Sequence, residues 1–371
     1  MATLTEIIGK VGITFYHKES LDLDHYYQEP YQDEGEEIAD MGDPFETDKS
    51  KKMRNCSDDN RDREFSLFSY FMDGSRRTYK IGDIVLEGKK IYPVVVAQIR
   101  AGCTKRNADK KLHAHGEISR KNLLLLSDKI NKVDFEEVKK RIQDTSTAEK
   151  LNLIVEKYEV KVDVPTNAAI AKANSMMHDM EIDVLQKMVN SKVLDTNRML
   201  IVDGPLQFIK QDTGKPEFAD LFYDVVGVSK SFDPMLPTSG KTKRKATQIG
   251  AELVELRYGE RTPVFRKVNT KGRKFGCWYL RIRPEGMMSN PLEGIVKIEK
   301  MATSYDIDRD GLQTPVVDNI SKSILNERSP TCYGRDKRWP SHLYPVYLTE
   351  TLIKSSFESD LVFINNFKRD F

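Results

Sequence analysis

Two apolar segments, each ending in the dipeptide Asp-Gly, constrain this chain more than any other feature of its sequence. The first covers residues 65–75 (FSLFSYFMDGS) and the second covers residues 199–206 (MLIVDGPL). Apolar and aromatic runs of this length predict buried β-strands, and the glycine after each acid predicts a turn. If the two strands are neighbours in one sheet, Asp73 and Asp203 lie close enough together to bind one divalent cation.

The rest of the chain predicts further strands and helices in mixed order. β-Branched and aromatic residues at 78–86 and 90–100 flank a Glu-Gly turn, so they predict an antiparallel meander with the first strand. Apolar residues at helical spacing predict two amphipathic helices, at 133–142 and 166–191. Later strands are predicted at 222–230, 263–268, 276–283 and 294–299, and helices at 314–326 and after Tyr344. This order indicates an α/β domain with a mixed sheet and flanking helices.

Charge patterning divides the chain into an N-terminal extension and a main domain. Asp and Glu are frequent in residues 19–64, so residues 1–64 are predicted to be an acidic extension. Within it, residues 1–18 are predicted to form a short helix or strand, and residues 21–48 are predicted to be mostly loop. The main domain is predicted to span 65–371, with a helical insertion at about 100–165. The whole chain has 59 Lys and Arg against 57 Asp and Glu, so its net charge alone does not indicate a nucleic-acid-binding protein.

A third acid is predicted to lie on the longer of the two helices. Met177, Met180 and Val184 mark the buried face of this helix. Glu181 follows Met177 by four positions and lies at the edge of this face, whereas Asp183 turns further from it. A carboxylate beside a buried face needs a partner, and a cation shared with the two aspartates would supply one. An ion pair between Glu181 and a lysine at the helix rim is the alternative.

Several basic residues are placed where a nucleic-acid backbone could bind, although each could also be an ordinary solvated side chain. Lys230 ends a predicted strand and could contact a phosphate. Arg281 and Arg283 share one strand face with Tyr279, and this combination of arginine and aromatic side chains suits single-stranded nucleic acid. A basic loop adds four residues that could contact backbone phosphates: Lys241, Lys243, Arg244 and Lys245.

Several functional classes are disfavoured because their motifs are missing. The sequence has no GxxxxGK[ST] loop and no GxSxG motif, which argues against a P-loop ATPase and a serine hydrolase. The 4 cysteines form no CxxC pair, so neither a disulfide framework nor a zinc site of that type is predicted. No signal peptide is predicted, and no apolar run approaches the roughly 20 residues of a membrane span. We therefore expect a cytoplasmic protein with no membrane association.

The ordered set of motifs resembles the NurA family of nucleases over about residues 65–355. The resemblance rests on MDGS at 72–75, a helix that carries Glu181, VDGPL at 202–206, VGVSK at 226–230, WYLRIR at 278–283 and LYP at 343–345. It implies an RNase H-like fold with inserted helices and a nuclease that depends on Mn²⁺ or Mg²⁺. It also implies that Asp73, Glu181 and Asp203 bind the metal and that Tyr344 lies at the active site.

The resemblance further implies a biological setting. Members of the family cleave single-stranded DNA and resect duplex ends, which suits DNA repair or antiphage defence. They act as toroidal homodimers beneath a hexameric HerA-type ATPase that translocates DNA. DNA, a HerA-type partner and a second copy of this chain are therefore the expected partners.

One departure from the family pattern leaves other functions open. The family usually has a histidine about eight residues after the tyrosine, where this chain has Leu352. His342, two residues before Tyr344, is an alternative residue for that role. This departure favours a DNA-binding adaptor of a motor ATPase with weak or no catalysis. A third possibility is an RNase H-like nuclease that acts on RNA. The presence of all three acids favours the active deoxyribonuclease.

Overall fold

A computed structural model gives the structure of residues 3–23, 37–40, 43–57, 66–160, 164–206, 215, 218–219, 221–232, 249–268, 272–288, 290–328 and 339–368. The strands of these residues are β1 (Thr14–Asp22), β2 (Glu37–Asp40), β3 (Arg54–Asn55), β4 (Phe68–Leu86), β5 (Lys90–Arg106), β6 (Leu112–Ser127), β7 (Leu153–Tyr158), β8 (Met199–Asp203), β9 (Val225–Ser229), β10 (Glu260–Arg261), β11 (Phe265–Val268), β12 (Lys274–Arg281) and β13 (Ile295–Met301). The helices are α1 (Leu4–Gly9), α2 (Lys132–Gln143), α3 (Ser146–Leu151), α4 (Pro165–Asn190), α5 (Ile249–Glu255), α6 (Ser304–Asp308), α7 (Thr314–Glu327), α8 (Tyr344–Lys354) and α9 (Asp360–Lys368).

The described strands form one mixed sheet, which confirms the predicted α/β class. The main strand order is β2-β11-β12-β13-β9-β8-β4-β5-β6-β7. Three short or peripheral strands pair outside this order, β1 with β4, β10 with β12, and β3 with β10. β4, β5 and β6 are antiparallel neighbours. On the other side of β4, β8 runs parallel to it and β9 runs parallel to β8.

The first predicted strand does not end at its aspartate. β4 continues through Asp73 and Gly74, and Asp73 pairs with Gly102 of β5. The prediction of a turn at Gly74 is therefore wrong. The glycine instead leaves room for the Glu181 carboxylate, because a Cβ at this position would overlap it. The second predicted turn is confirmed, since β8 ends at its aspartate and Gly204 follows with φ at +113°.

Helices cover both faces of the central strands. α4 packs on the face that includes Tyr70 and Met72 of β4, and its own buried stripe follows the predicted spacing. α7 and α8 pack on the opposite face, which includes Phe71 of β4 and Ile201 of β8. Successive residues of a strand point to opposite faces, which is why one long strand contacts both layers. Among the described helices, none is long and apolar enough to span a membrane.

The described parts of residues 1–64 contribute to the sheet. Residues 1–18 contain α1 and the start of β1, as predicted, whereas the segment predicted to be mostly loop contains β2. β1, β2 and β3 each pair with a strand of the main domain. Glu46 is buried and accepts hydrogen bonds at 3.0 and 2.7 Å from Arg261 of β10, which also donates to Asp318 of α7 at 2.7 Å. Because a buried charge is costly unless it is paired, this ion network fixes the N-terminal segment on the domain.

The region expected as a helical insertion also contributes strands. Residues 100–165 supply the end of β5, all of β6, and β7, which pairs in parallel with β6. Its helices α2 and α3 lie between β6 and β7 in the chain. Phe135 and Val138 of α2 join the core beneath β6 and β7. Among the described residues of this region before α4, the helices are therefore α2 and α3.

Candidate functional site

The two aspartates of the Asp-Gly motifs lie on neighbouring parallel strands, as predicted. The register of β4 and β8 pairs Met72 with Val202, so Asp73 and Asp203 are the next residues on each strand. Neighbouring strands lie about 4.8 Å apart. Because side chains alternate along a strand, both acids belong to the face that includes Phe71, which α7 and α8 cover.

The turn after Asp203 is held by a buried ion cluster. The backbone N–H of Leu206 donates to Glu299 of β13 at 3.0 Å. Burial would raise the pKa of Glu299, but Lys267 and Lys297 lower it to about 2, and each lysine lies 3.0 Å from its carboxylate. Glu299 is therefore a charged acceptor at neutral pH, and it fixes the chain three residues after the acid.

Lys230 supplies a positive charge to the acid pair. β9 runs beside β8 with Val228 opposite Asp203, and Lys230 follows directly after β9. Its ammonium Nζ lies 2.7 Å from Asp203 Oδ2, and the two side chains are only 11% and 16% exposed. Burial lowers the pKa of Lys230, but the carboxylates of Asp203, Asp73 and Glu350 together raise it above its usual value. The lysine is therefore a buried cation.

Asp73 lacks a comparable partner. Burial raises the pKa of the Asp73 carboxyl well above its usual range, and the neighbouring carboxylate of Asp203 raises it further. Lys230 lowers this pKa, but less than those two effects raise it. The residue is 6% exposed, and its carboxylate forms no hydrogen bond or ion pair with any residue that the structure describes. A cation near Asp73 would therefore favour its ionised form.

Glu181 reaches β4 from α4, and Asp183 does not. The Glu181 side chain is buried against Gly74, directly beside the Asp73 backbone, whereas Asp183 is exposed. His178 Nδ1 lies 2.6 Å from Glu181 Oε2 and orients the carboxylate. The i, i+3 spacing of this pair on a helix is a signal that the sequence offers.

A further acid, Glu350 of α8, has a pKa that the charge of Lys230 lowers. Burial would raise its pKa, but Lys230 first and then Lys354 and His342 lower it below the usual value. The ammonium of Lys354 lies 2.5 Å from Glu350 Oε1. Glu350 is not predicted from the sequence, because a spacing of four from a lysine is the usual pattern of an exposed helical ion pair.

Tyr344 and Leu352 lie on the same helix as Glu350. Tyr344 is the first residue of α8 and is 43% exposed. It precedes Glu350 by six residues, which is about 9 Å along a helix axis. Leu352, at the position of the family histidine, is half-buried. The residue of α8 that raises the pKa of Asp73 is therefore an acid, Glu350, and not a histidine.

The predicted arginine platform is not exposed. Arg281 is buried, and its guanidinium donates to backbone carbonyls that include those of Leu256 at 2.5 Å and Pro291 at 2.7 Å. Arg283 is also buried and donates to the Pro340 carbonyl at 3.3 Å. β12 ends at Arg281, so Arg283 lies beyond the strand. Carbonyl groups of α5 and of neighbouring loops cover the Arg281 guanidinium. The prediction of an exposed nucleic-acid platform at Arg281 and Arg283 is therefore wrong.

The remaining predicted residues are distributed as follows. The basic loop of Lys241, Lys243, Arg244 and Lys245 lies outside the described residues.

Within the described ranges, no three His, Cys, Asp or Glu side chains converge as ligands of a metal ion do. The donors around Asp73 are carboxylates, which suit Mg²⁺ or Mn²⁺ better than zinc. The unpartnered Asp73 carboxylate fits such a cation, because one bound there would offset the repulsion from Asp203.

No known protein family and no curated protein matches the chain. The residues themselves therefore define the site: a buried acid pair on neighbouring parallel strands, a buried lysine, and further acids on the helices of both faces.

Replacing Gly74 by alanine tests the packing between β4 and Glu181. The new Cβ would overlap the Glu181 carboxylate and crowd Met177, so we expect the free energy of unfolding to fall by about 1–3 kcal/mol. Chemical denaturation measures the change. Gly286→Ala is the control, because nothing lies within 4 Å of a Cβ there.

The double variant with Glu181→Ala sharpens this test. If the carboxylate causes the strain, Gly74→Ala should cost clearly less stability in the Glu181→Ala background. An equal cost in both backgrounds would contradict the proposed contact.

Replacing Asp73 by asparagine tests its raised pKa. An ordinary aspartate titrates near pH 4, and Asp73 keeps its proton to higher pH in the folded state than in the unfolded state. Its contribution to stability is therefore complete below about pH 4 and declines as the pH rises through the folded-state pKa. We expect Asp73→Asn, measured with chelator present, to exceed the wild type in Tm increasingly from acid to neutral pH.

The control for this measurement is Asp183→Asn on the exposed face of α4. Its Tm difference from the wild type should stay nearly constant with pH. A pH-independent difference for Asp73→Asn, or a difference of opposite sign, would contradict the account.

Proposed function

We propose that this chain is a divalent-cation-dependent nuclease with an RNase H-like fold that hydrolyses phosphodiester bonds of single-stranded DNA and DNA ends. The observation that carries the proposal is the position of Asp73 and Asp203 on neighbouring parallel strands beside the buried ammonium of Lys230. Carboxylates bind the metal ions that phosphodiester hydrolysis uses. A lysine beside them supplies the charge that binds a phosphate.

The sheet supports the RNase H-like part of this proposal. An antiparallel meander, β4 to β6, is followed by two strands, β8 and β9, that add in parallel on the other side of β4. α4 makes the crossover from the meander side to β8. The first strand of the meander and the first parallel strand each carry one aspartate, so the topology brings the two acids together.

Asp73 and Asp203 would hold the cation on the face of the sheet that α7 and α8 cover. Glu181 lies on the opposite face, where α4 packs over Gly74 of the same strand. When bound, a divalent cation supplies positive charge that stabilises the charge developing on the phosphodiester oxygens. Mn²⁺ or Mg²⁺ is the expected ion. His178 holds the Glu181 carboxylate in one orientation through the 2.6 Å contact.

Lys230 would contribute to phosphate binding. Its ammonium neutralises Asp203 in the described structure. When Asp203 helps to hold a cation, the Lys230 ammonium would be available to bind the substrate phosphate, because like charges repel each other. The residue would thus position the DNA backbone, as the sequence suggested.

The partners proposed for this nuclease follow from the NurA resemblance alone. A homodimer working with a HerA-type hexameric ATPase would deliver DNA ends to the site. DNA repair and antiphage defence are the processes that such an assembly serves.

A DNA-binding adaptor without catalysis is the second candidate. The observation that favours it is the close ion pair of Lys230 with Asp203, because a protein cation already neutralises one of the two acids. An adaptor would bind DNA and a motor ATPase but would not need an exchangeable metal.

Cleavage of labelled DNA distinguishes these candidates. We expect the wild type to cut single-stranded DNA with Mn²⁺ and not with chelator. Asp73→Asn and Asp203→Asn should each lower the rate by at least about 100-fold, because each removes a cation ligand. Asp183→Asn, an exposed acid on α4, should keep the wild-type rate.

The same assay has informative negative results. No cutting by the wild type, alone or with a HerA-type ATPase, would favour the adaptor. Cutting that survives both aspartate substitutions would place the active site elsewhere. Preferential cutting of matched RNA would change the substrate class.

A further inference from the structure

The hairpin formed by the end of β5 and the start of β6 is strongly basic. Residues 105–121, here called the basic arm, contain six Lys and Arg against two Asp and Glu, whereas the whole chain has 59 against 57. The two strands pair as far as Arg106 and Leu112, and residues 107–111 form the turn between them. The basic arm therefore concentrates positive charge on one hairpin of the sheet.

The outer edge of the basic arm is open. Of the described strands, β7 pairs only with residues 122–127 of β6, and none pairs with the outer side of residues 112–121. The pairing of β5 with β6 shifts register between Ala101 and Cys103, and Gly116 has φ at +75°. Bulges and charged side chains are features that keep an edge from pairing with a further strand. The open edge therefore suits a charged ligand better than an added β-strand.

The base of the basic arm is fixed on both faces of the sheet. On one face, Lys105 Nζ lies 5.8 Å from the centroid of the buried Tyr70 ring, and the His115 ring contacts Tyr70 edge-on at 5.0 Å between centroids. On the other face, Arg106 donates to Glu327 of α7 at 2.7 Å. Arg106 is therefore neutralised within the protein, and it anchors the arm so that the other charges have a rigid support.

The turn of the basic arm presents two lysines to solvent. Lys110 and Lys111 are both exposed. Lys111 Nζ lies 3.6 Å from Asp109 Oδ2, and the two side chains are 75% and 52% exposed. An ion pair this exposed contributes little to stability, so another anion can replace the aspartate.

A like-charge pair is a second observation that points to an anionic ligand. Arg120 lies directly opposite Arg100 in the pairing of β6 with β5, an arrangement that destabilises a sheet. Burial, and less strongly the charge of Arg120, lower the pKa of the Arg100 guanidinium to about 10. Arg120 itself is exposed and forms no ion pair with any residue that the structure describes. A phosphate bound beside Arg120 would offset this repulsion.

We propose that the basic arm binds the phosphate backbone of single-stranded nucleic acid through Lys110, Lys111 and Arg120. The choice of nucleic acid rests on the proposed function, because the arm begins beside the acid pair. Gly102 of β5 pairs with Asp73, and the turn of the arm begins five residues further along the chain. That separation is about 17 Å at about 3.3 Å per residue. The basic arm would thus hold the nucleic acid beside the site that cuts it.

Fluorescence anisotropy of a labelled oligothymidine of about 30 nucleotides, measured with chelator present, tests the proposal without cleavage. The test variant is Lys110→Gly with Lys111→Gln. Lys110 has φ at +63°, which glycine adopts without strain, so the turn should persist. The matched control is Lys89→Gly with Lys90→Gln in the turn at the opposite end of β5, where Lys89 has φ at +59°.

We expect the test variant to raise the Kd for oligothymidine by about 5-fold or more and to reduce the slope of log Kd against log salt by about 1.4, because each phosphate contact on a single strand accounts for about 0.7. The control should keep the Kd within about twofold and leave the slope unchanged. Arg120→Gln should also weaken binding, while its Tm stays equal or rises, because the substitution removes the repulsion from Arg100.

Four results would overturn the inference. The first is no binding of oligothymidine by the wild type. The second is an equal loss of affinity in the test variant and the control, which would mean that net charge alone is responsible. The third is weaker binding by Arg120→Gln only together with a lower Tm, which would indicate a packing role. The fourth is equal competition by polyglutamate of the same charge, which would assign the arm to an acidic protein segment.

The proposed nuclease activity can fail separately. A protein that binds oligothymidine with this dependence on the basic arm but cuts no nucleic acid with Mn²⁺ would retain this inference and lose the proposed function. A protein that cuts single-stranded DNA with Mn²⁺ but binds it equally well with and without the lysines of the arm would retain the function and lose this inference.

Discussion

The burial of two aspartates side by side is the constraint on which the rest of the site depends. Asp73 and Asp203 lie on neighbouring parallel strands beneath helices, where an uncompensated negative charge is costly. Lys230 offsets the charge of Asp203 through a 2.7 Å ion pair. Asp73 has no such partner among the described residues, and its pKa is raised accordingly. A site of this kind is poised to bind a cation.

The surrounding fold serves this acid pair from both faces of the sheet. On one face, Gly74 leaves room for the carboxylate of Glu181. On the other, the Glu350 carboxylate of α8 raises the pKa of Asp73. The end of β8 is held by the bond from the Leu206 backbone to a buried glutamate. The large sheet therefore acts as a rigid support, which keeps acids from β4, β8 and two helices in fixed relative positions.

Sequence patterns predicted those features that depend on local periodicity. The acid pair followed from two apolar strands, and helical spacing correctly favoured Glu181 over Asp183 as the buried acid. Features that depend on what covers a surface were missed. The Asp-Gly pattern predicts a turn at Gly74, but α4 packs over this residue in a continuous strand. The strand pattern predicts an exposed Arg281, but its guanidinium binds backbone carbonyls. The sequence does not predict that Glu350 affects the pKa of Asp73, because this effect depends on the tertiary packing of α8.

The most direct test of the central claim is a crystal structure with Mn²⁺, with data collected at the manganese absorption edge. The account predicts an anomalous difference peak within about 2.0–2.6 Å of carboxylate oxygens of Asp73 and Asp203. It also predicts that the Lys230 ammonium has moved away from Asp203. A Mn²⁺ peak elsewhere, or no peak with the ion pair of Lys230 and Asp203 intact, would contradict the account.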